Sequence, residues 1–295
     1  YLKYLLNDKW TITYNLKHQN NTNSGAFPMV YGVDAAIADP YKVNQNAIGK
    51  MADNSLNTGL TIQYAGQNFL FSSQTAYQSN RRVYKTPIDG DFSPIDAVSV
   101  VNDYGGSWNK VKVFTQEFRF SSPAQKSGPF SWVAGAYLFS QHNPNKQGTH
   151  FGEDAEMIGV PGKNFTTINT STAKNKGLAL FGQLTYAVTE KLSIIGGLRY
   201  DHESKYLTVM GEYQPDGEDA FVTQPDTATT ERFSAVSPKL GLSYKVNPNS
   251  NLFAVFSRGY RTGGLTQLSS DPSQPPLYPY KPEYSSNFEL GWKNL

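Results

Sequence analysis

The sequence lacks cysteine, which excludes disulfide bonds and thiol chemistry. It also lacks any run close to the roughly 20 consecutive apolar residues that a membrane-spanning helix needs. Charged residues make up 17% of the chain, which is low for a soluble protein, and the net charge of +2 gives no basis for a nucleic-acid partner. No signal peptide begins at Tyr1, so for a secreted or outer-membrane protein we expect the true N-terminus to be missing or removed.

Aromatic residues are abundant. They make up 14% of the 295 residues, with 19 Tyr and 17 Phe, which is more than a soluble core requires. This excess fits strands that alternate lipid-facing and water-facing residues and carry aromatic belts at the membrane interfaces. Without apolar helices, only a closed β-barrel could satisfy the backbone hydrogen bonds inside a bilayer.

The clearest periodicity lies in residues 177–200. Every second residue forms one mostly apolar face, which carries Leu178, Leu180, Gly182, Leu184, Tyr186, Val188, Leu192, Ile194, Gly196, Leu198 and Tyr200. A polar turn at 189–191 interrupts the pattern, and the opposite face is mixed. The alternation predicts two antiparallel strands in a hairpin. A face this apolar must contact either a packed core or lipid.

About eleven such segments follow one another, and their connections alternate in length. We expect short turns after Leu6, Ala65, Ser121, Val188 and Val246, and long loops after His18, Asn80, Gln141, Tyr206 and Tyr260. The predicted loops include 19–54, 81–107, 143–174 and 207–231. Such sorting is typical of up-and-down outer-membrane barrels, which have short periplasmic turns and long extracellular loops. A Greek-key sandwich gives no reason for it.

Two features indicate an incomplete barrel. An odd number of strands cannot close a typical bacterial barrel, which uses an even number. The first segment also begins in mid-strand, and the last has no partner. We therefore expect the chain to be an internal part of a longer all-β, antiparallel barrel. Segments 130–141 and 252–260 carry apolar residues on both faces, so the alternation does not assign their outward face.

Five stretches resemble the barrel of the TonB-dependent outer-membrane receptors. They are 115–123, 132–139, 180–186 with 197–200, 237–244, and 257–264 followed by 280–283 and 288–293. They occur in order at strand-and-loop spacing. The resemblance covers nearly the whole chain apart from the long loops.

The resemblance implies a barrel of about 22 strands that encloses a plug domain. Residues 1–295 would supply about eleven of those strands, without the plug domain, the TonB-contacting segment or the closing C-terminal strands. The implied function is TonB-energised uptake of a scarce ligand, usually a ferric siderophore, across the outer membrane of a Gram-negative bacterium. The implied partners are outer-membrane lipid, the plug domain, the TonB complex and the small-molecule ligand.

Six residues are candidates for ligand contact. Arg119 and Arg199 are expected on the lumen face, Arg258 and Arg261 at the rim, and Trp108 and Tyr278 in the long loops. Each has a structural alternative. The lumen arginines could pack against the wall or plug, the rim arginines could pair with Glu283, and the loop aromatics could pack among themselves.

No catalytic, metal or cofactor site is predicted. The four histidines, His18, His142, His150 and His202, match no metal motif in their spacing. Neither a nucleophile elbow nor a phosphate loop is found. Two alternatives to a receptor remain: a passive porin-type channel, and a barrel enzyme or soluble secreted β binding protein. The soluble form would bury its apolar faces inside.

Overall fold

A computed structural model describes residues 1–25, 30–123, 128–267 and 275–294. The turn expected at 123–129 and the loop expected at 262–282 lie partly outside these residues. The described strands are β1 (Leu2–Leu5), β2 (Trp10–Gly25), β3 (Gly49–Ala65), β4 (Leu70–Thr86), β5 (Ile88–Asp89), β6 (Val98–Asn102), β7 (Lys110–Ser121), β8 (Phe130–Phe151), β9 (Phe165–Ala187), β10 (Leu192–Pro215), β11 (Phe221–Asn247), β12 (Ser250–Arg261), β13 (Gly264–Leu265), β14 (Pro279–Tyr280) and β15 (Glu283–Asn294).

Thirteen of the described strands form one all-β, antiparallel sheet, and eleven of them follow one up-and-down path in the order β1-β2-β3-β4-β7-β8-β9-β10-β11-β12-β15. The predicted number of strand segments is therefore confirmed. Strand β6 pairs with β5 and β8, whereas β13 and β14 form a separate two-stranded sheet. The described helices are α1 (Val33–Ala38) and a short 3-10 helix (Ala155–Ile158). No helix in the described ranges is long and apolar enough to cross a membrane.

The predicted hairpin at 177–200 is confirmed as the facing parts of β9 and β10. Tyr186 lies opposite Ile194, and Leu180 lies opposite Tyr200. The turn lies at 188–191, between the two strands, as expected. In it, the Leu192 N–H donates to the Thr189 hydroxyl at 2.9 Å. This side-chain bond satisfies a backbone donor that the turn leaves without a strand partner.

The register divides the sheet into two faces across all eleven strands. We call the first the apolar face; its members include Ile12, Leu60, Phe71, Phe118, Leu138, Leu180, Leu198, Leu240, Phe256 and Leu290. Several are widely exposed, with Leu180 at 52% and Leu240 at 60%. The opposite side, which we call the polar face, carries Thr13, Gln74, Arg119, Gln183, Arg199 and Lys239.

The same register assigns the two segments that the sequence left open. In β8, Leu138 lies opposite Leu178 on β9, so the even-numbered residues of 130–141 belong to the apolar face. In β12, Phe256 lies between Leu240 of β11 and Phe288 of β15. The even-numbered residues of 252–260 therefore also belong to the apolar face.

Aromatic rings cluster at the end of the apolar face where the short connections lie. The ring centroids of Trp10 and Tyr64 are 4.9 Å apart, and those of Phe130 and Tyr186 are stacked at 4.7 Å. Phe71 and Phe120 are 4.8 Å apart. A row of rings at one edge of an apolar surface is typical of a membrane-interface belt.

The connections alternate between the two ends of the sheet, as predicted. One end holds 6–9, 66–69, 122–129, 188–191 and 248–249, and the other holds 26–48, 87–109, 152–164, 216–220 and 262–282. We refer to them as the short-turn end and the loop end. The connection at 216–220 is short although it lies at the loop end.

Four predicted loop boundaries are wrong, because paired strand occupies much of each segment. The expected loops 19–54, 81–107, 143–174 and 207–231 contract to 26–48, 87–109, 152–164 and 216–220, and the second of these still contains β5 and β6. Beyond the apolar band polar residues predominate on both faces of a strand and the apolar residues are scattered, so the apolar alternation disappears. Backbone hydrogen bonding does not disappear with it, and the strands continue.

Buried apolar residues at the loop end lie on both sides of the sheet. Phe165, Leu207 and Val209 have polar-face positions in the register, whereas Ile168 is on the opposite face. Ala97 and Ala155 are buried in the neighbouring connections. The ring of Phe165 stacks on Phe151 at 4.9 Å and on Tyr213 at 4.8 Å. Phe151 and Phe165 therefore pack against each other among the loop-end strands.

Candidate functional site: a basic groove on the polar face

Three of the six candidate residues line one groove, two of them, Arg119 and Arg199, from the polar face and the third, Arg258, at its border. Arg119 of β7 lies opposite Gly135 of β8, which lies opposite Phe181 of β9, which lies opposite Arg199 of β10. Neighbouring strands are about 4.8 Å apart, so the two arginine Cα atoms are separated by roughly 14 Å. The predicted location of Arg119 and Arg199 on one face is confirmed.

Gly135 makes room for this arrangement. A Cβ atom at this position would lie 2.5 Å from the ring of Phe181 and would also collide with the carbonyl oxygen of Phe118. Only glycine leaves the ring space to lie across β8. The groove therefore has an aromatic floor between Arg119 and Arg199.

Each arginine is paired with a carboxylate two residues along its own strand. The Arg199 guanidinium donates to both carboxylate oxygens of Asp201, at 2.8–3.0 Å. Arg119 Nε lies 3.4 Å from Glu117 Oε1. Residues i and i+2 point to the same face of a strand, which is why these pairs form. Both arginine side chains stay accessible, at 42% and 54% exposure, so each can still donate to another group.

The groove also contains residues that the sequence analysis did not nominate. It has a volume of about 600 Å³, and its lining includes Gln183, Lys239 and Ser257. Lys239 Nζ donates to the neutral Gln183 Oε1 at 3.1 Å, and within the described part of the chain no carboxylate forms an ion pair with this ammonium. The position of Lys239 on the polar side of the 237–244 alternation could have identified it.

The two rim arginines differ in position. Arg258 borders the groove, but its register position is on the apolar face, and its guanidinium lies 4.3 Å from the ring centroid of Tyr284. Arg261 lies opposite Glu283 in the register, with Nη1 3.6 Å from Oε2. The expected pairing with Glu283 is thus found for Arg261.

The two loop aromatics, Trp108 and Tyr278, are not among the residues that line the groove, and their backbone N–H groups bond to other residues of the loop end. The Trp108 N–H donates to the carboxylate of Asp103, which also accepts from Arg81 Nη2 at 2.6 Å. The Tyr278 N–H donates to Thr266 Oγ1 at 2.8 Å, and its side chain is 63% exposed. Both lie in connections at the loop end.

A second charged cluster lies on the polar face toward the loop end. Asp53 accepts from Arg82 Nη2 at 2.7 Å and from Asn80 Nδ2 at 2.6 Å. The hydrogen bond from Arg82 is the main reason that the pKa of Asp53 lies below its ordinary value. The Asp53 carboxylate is therefore held in place at this end of the polar face, and its charge is paired with that of Arg82.

The histidines do not converge. His150 Nε2 lies 3.1 Å from Asp216 Oδ2, and His202 Nδ1 lies 2.8 Å from the Ser234 hydroxyl. Across the described ranges, no group of three or more His, Asp or Glu side chains is placed to hold a metal ion.

The groove offers hydrogen-bond donors and positive charge, a combination suited to a ligand that carries anionic oxygens.

The chain is similar to known receptors over nearly its whole length. Residues 3–295 match the family model described as TonB dependent receptor-like, beta-barrel. The ferric yersiniabactin uptake receptor FyuA from Yersinia pestis matches with a TM-score of 0.71 and 15% identity, over 97% of this chain and 40% of that one. The alcaligin outer-membrane receptor FauA from Bordetella pertussis matches at 0.58 and 13%, over 99% and 39%.

A third solved structure gives a similar match. The ferric-catecholate import receptor Fiu from E. coli K12 matches with a TM-score of 0.62 and 13% identity, over 99% of this chain and 47% of that one. The chain therefore spans less than half the length of each of these three structures. At these identities the likeness concerns the fold.

Proposed function

Because the chain belongs to the β-barrel family of the TonB-dependent receptors, we propose that it forms part of the wall of an outer-membrane uptake receptor. Its apolar face contacts the hydrocarbon of the outer membrane, and its polar face lines the lumen. A plug domain supplied by another part of the receptor fills that lumen. TonB, energised from the inner membrane, acts on the plug and opens the path for a scarce ligand.

One observation carries this proposal: exposed apolar side chains form one continuous face across eleven strands. Leu198, Leu240 and Leu290 are 56%, 60% and 85% exposed. Contiguous apolar patches much larger than a few hundred Å² are rare on soluble proteins. A lipid contact accounts for this surface, whereas a soluble β binding protein would bury it.

We propose a ferric siderophore or a similar iron complex as the ligand, in line with the printed names of the similar structures. The groove supports this, because Arg119, Arg199 and Lys239 place three cations around the ring of Phe181. Such ligands present anionic oxygens, which guanidinium groups bind through charge-assisted hydrogen bonds. In this proposal Arg258 and Arg261 shape the rim, and Trp108 and Tyr278 meet the ligand at the loop end.

Uptake by the complete receptor tests the proposal. Cells that carry the receptor as their only route for a panel of radiolabelled ferric siderophores should accumulate one of them, and deletion of tonB should abolish accumulation. Replacing Arg199 and Lys239 with Gln should raise the half-saturating concentration by roughly tenfold or more, because each lost charge-assisted bond is worth about 1.5–3 kcal/mol. Replacing Lys191 with Gln at the short-turn end is the matched control and should change nothing.

Two results would overturn the proposal. Accumulation that persists without TonB and rises linearly with ligand concentration would indicate a passive porin-type channel instead. Unchanged uptake in the double variant, with both proteins at equal amounts in the membrane, would remove the groove from the ligand path.

A further inference from the structure

The charges near the loop-end edge of the apolar band are sorted between the two faces. Positions on the apolar face just beyond the band carry a group that we call the cationic strip: Lys112 on β7, His142 on β8, Lys174 and Lys176 on β9, and Arg232 on β11. The four Lys and Arg side chains are exposed. Lys112, His142 and Lys174 are consecutive partners in the register, so the two lysines flank His142 within roughly 10 Å of each other.

The carboxylates at 117 and 201 lie on the other face beside the apolar band, and the carboxylate at 203 lies on that face at the level of the strip. Glu117, Asp201 and Glu203 each pair with a cation on the polar face, namely Arg119, Arg199 and Lys205. Among the described residues, no ion pair includes a Lys or Arg of the cationic strip. These three carboxylates of the polar face are therefore each paired with a cation, whereas the Lys and Arg side chains of the strip have no carboxylate partner among the described residues.

The environment of His142 agrees with this excess of positive charge. Burial lowers the pKa of His142 most, and the neighbouring charges of Lys174 and Lys112 lower it further. No carboxylate is among the causes that act on this imidazole. The strip is thus a surface on which adding a further cation is unfavourable and adding an anion is favourable.

The apolar band begins immediately below the strip. Phe114, Leu138 and Leu178 are each two to four residues from a strip member on the same strand, and they are 44%, 41% and 39% exposed. One ligand that fits both surfaces has an anionic head and hydrocarbon chains. Clusters of lysine and arginine next to a membrane-embedded segment recognise anionic lipid headgroups in this way.

We propose that the cationic strip binds the phosphate headgroup of an anionic outer-leaflet lipid whose acyl chains lie on the band below it. This rests on the proposed function, because the barrel must sit in the outer membrane with its loop end outward. The lipid then holds the extended strands β8 and β9 at a fixed height relative to the membrane. A free phosphate ion would gain from the charges only, because it has no group for the apolar band.

Lipid binding to the complete receptor, purified in an uncharged detergent, tests the proposal. The probe is a bisphosphorylated lipid A, and the comparison ligands are the same lipid without phosphate and inorganic phosphate alone. The variant Lys112→Gln/Lys174→Gln/Lys176→Gln should bind lipid A on the order of tenfold more weakly or worse, because each such cation contributes measurably to binding of an anionic lipid. The corresponding triple Lys→Arg variant keeps the charge and should bind as the wild type does.

The matched control, Lys9→Gln/Lys191→Gln/Lys245→Gln, removes three exposed cations from the short-turn end and should leave lipid A binding unchanged. Equal affinity for dephosphorylated lipid, equal affinity for inorganic phosphate, or an equal loss in the control would each overturn the proposal. Siderophore uptake is measured separately in the same variants. A receptor that binds lipid A through the strip but transports no ligand would contradict the proposed function and leave this inference standing.

Discussion

Gly135 lies where β8 passes between Arg119 and the ring of Phe181, so one missing side chain decides the shape of the groove. The space there is filled by the ring and by the backbone of the next strand. A flexible side-chain tip could move away from an added methyl group, but the carbonyl of Phe118 cannot move without displacing β7. Over-packing of this kind costs about 1–3 kcal/mol.

Replacing Gly135 with Ala should therefore destabilise the receptor by about 1–3 kcal/mol. Gly196 is the matched control, since no atom of the described residues lies within 4 Å of a Cβ atom at that position, and Gly196→Ala should be close to neutral. Guanidinium unfolding in lipid vesicles, followed by tryptophan fluorescence, measures both variants. Equal stability of the two variants would show that the ring of Phe181 does not occupy the space above Gly135.

Asp89 is buried at 4% exposure in a tight turn at the loop end. Its Oδ1 accepts from the N–H groups of Asp91 at 3.1 Å and Phe92 at 2.7 Å. Burial raises the pKa of Asp89 above the ordinary value of 3.8. The contribution of this group to stability is thus fully present below pH 3.8, the unfolded value, and is lost as the pH rises through the folded pKa.

Replacing Asp89 with Asn should keep the two accepted hydrogen bonds and remove the charge. The stability of the turn should then no longer depend on the titration of residue 89, and the turn should stay intact at neutral pH. Asp89→Ala loses both bonds and should open the turn, at a cost of about 1–3 kcal/mol. Hydrogen exchange of the peptide around residues 87–98, corrected for the intrinsic rate at each pH, measures this. Faster exchange in the Asn variant than in the Ala variant would contradict the account.

Several strands continue well past the apolar band at the loop end. β10 and β11 stay paired from Leu192 opposite Tyr244 to Tyr213 opposite Phe221, with register shifts only near Val209 and Gly211. Threonines at 208, 227, 229 and 230 fill much of the polar extension. Their β-branched side chains favour strand geometry on either face, whether or not that face is apolar.

The paired polar parts of β10 and β11 should be slow in amide hydrogen exchange. The amide protons of segments 206–211 and 227–232 should be protected almost as strongly as those of 193–198, because each set is bonded across the same ladder. The connection 216–220 is the internal control and should exchange quickly. Rapid exchange over the whole of 207–231 would favour the loop that the sequence pattern predicts.

The sequence predicts elements well wherever one face is apolar and the other is not. The hairpin at 177–200, the alternation of connections between two ends and the eleven segments all follow from period-two patterning. The ends of the strands do not, because a polar strand and a polar loop have the same composition. Residues 165–174 illustrate this: they read as loop, yet they pair with β8 and β10 throughout.

For the whole molecule, the sequence places side chains on faces but does not place strands beside one another. Arg119 and Arg199 were predicted on the polar face, and the register confirms it. The cationic strip is not predictable in this way, because its members are grouped only by their neighbours on other strands. Arg258 shows the same limit, since only its register reveals the contact with Tyr284 on the apolar face.

The central claim is that the apolar face contacts lipid and the polar face contacts the lumen. Spin labels on single cysteines in the complete, membrane-embedded receptor test it most directly, at Leu180 and Leu240 on one face and at Gln183 and Ser237 on the other. Labels at the two leucine positions should collide often with oxygen and seldom with a water-soluble nickel complex, and labels at the polar positions should show the reverse. Leucine-position labels that are shielded from both reagents would place that face in an internal core and contradict the account.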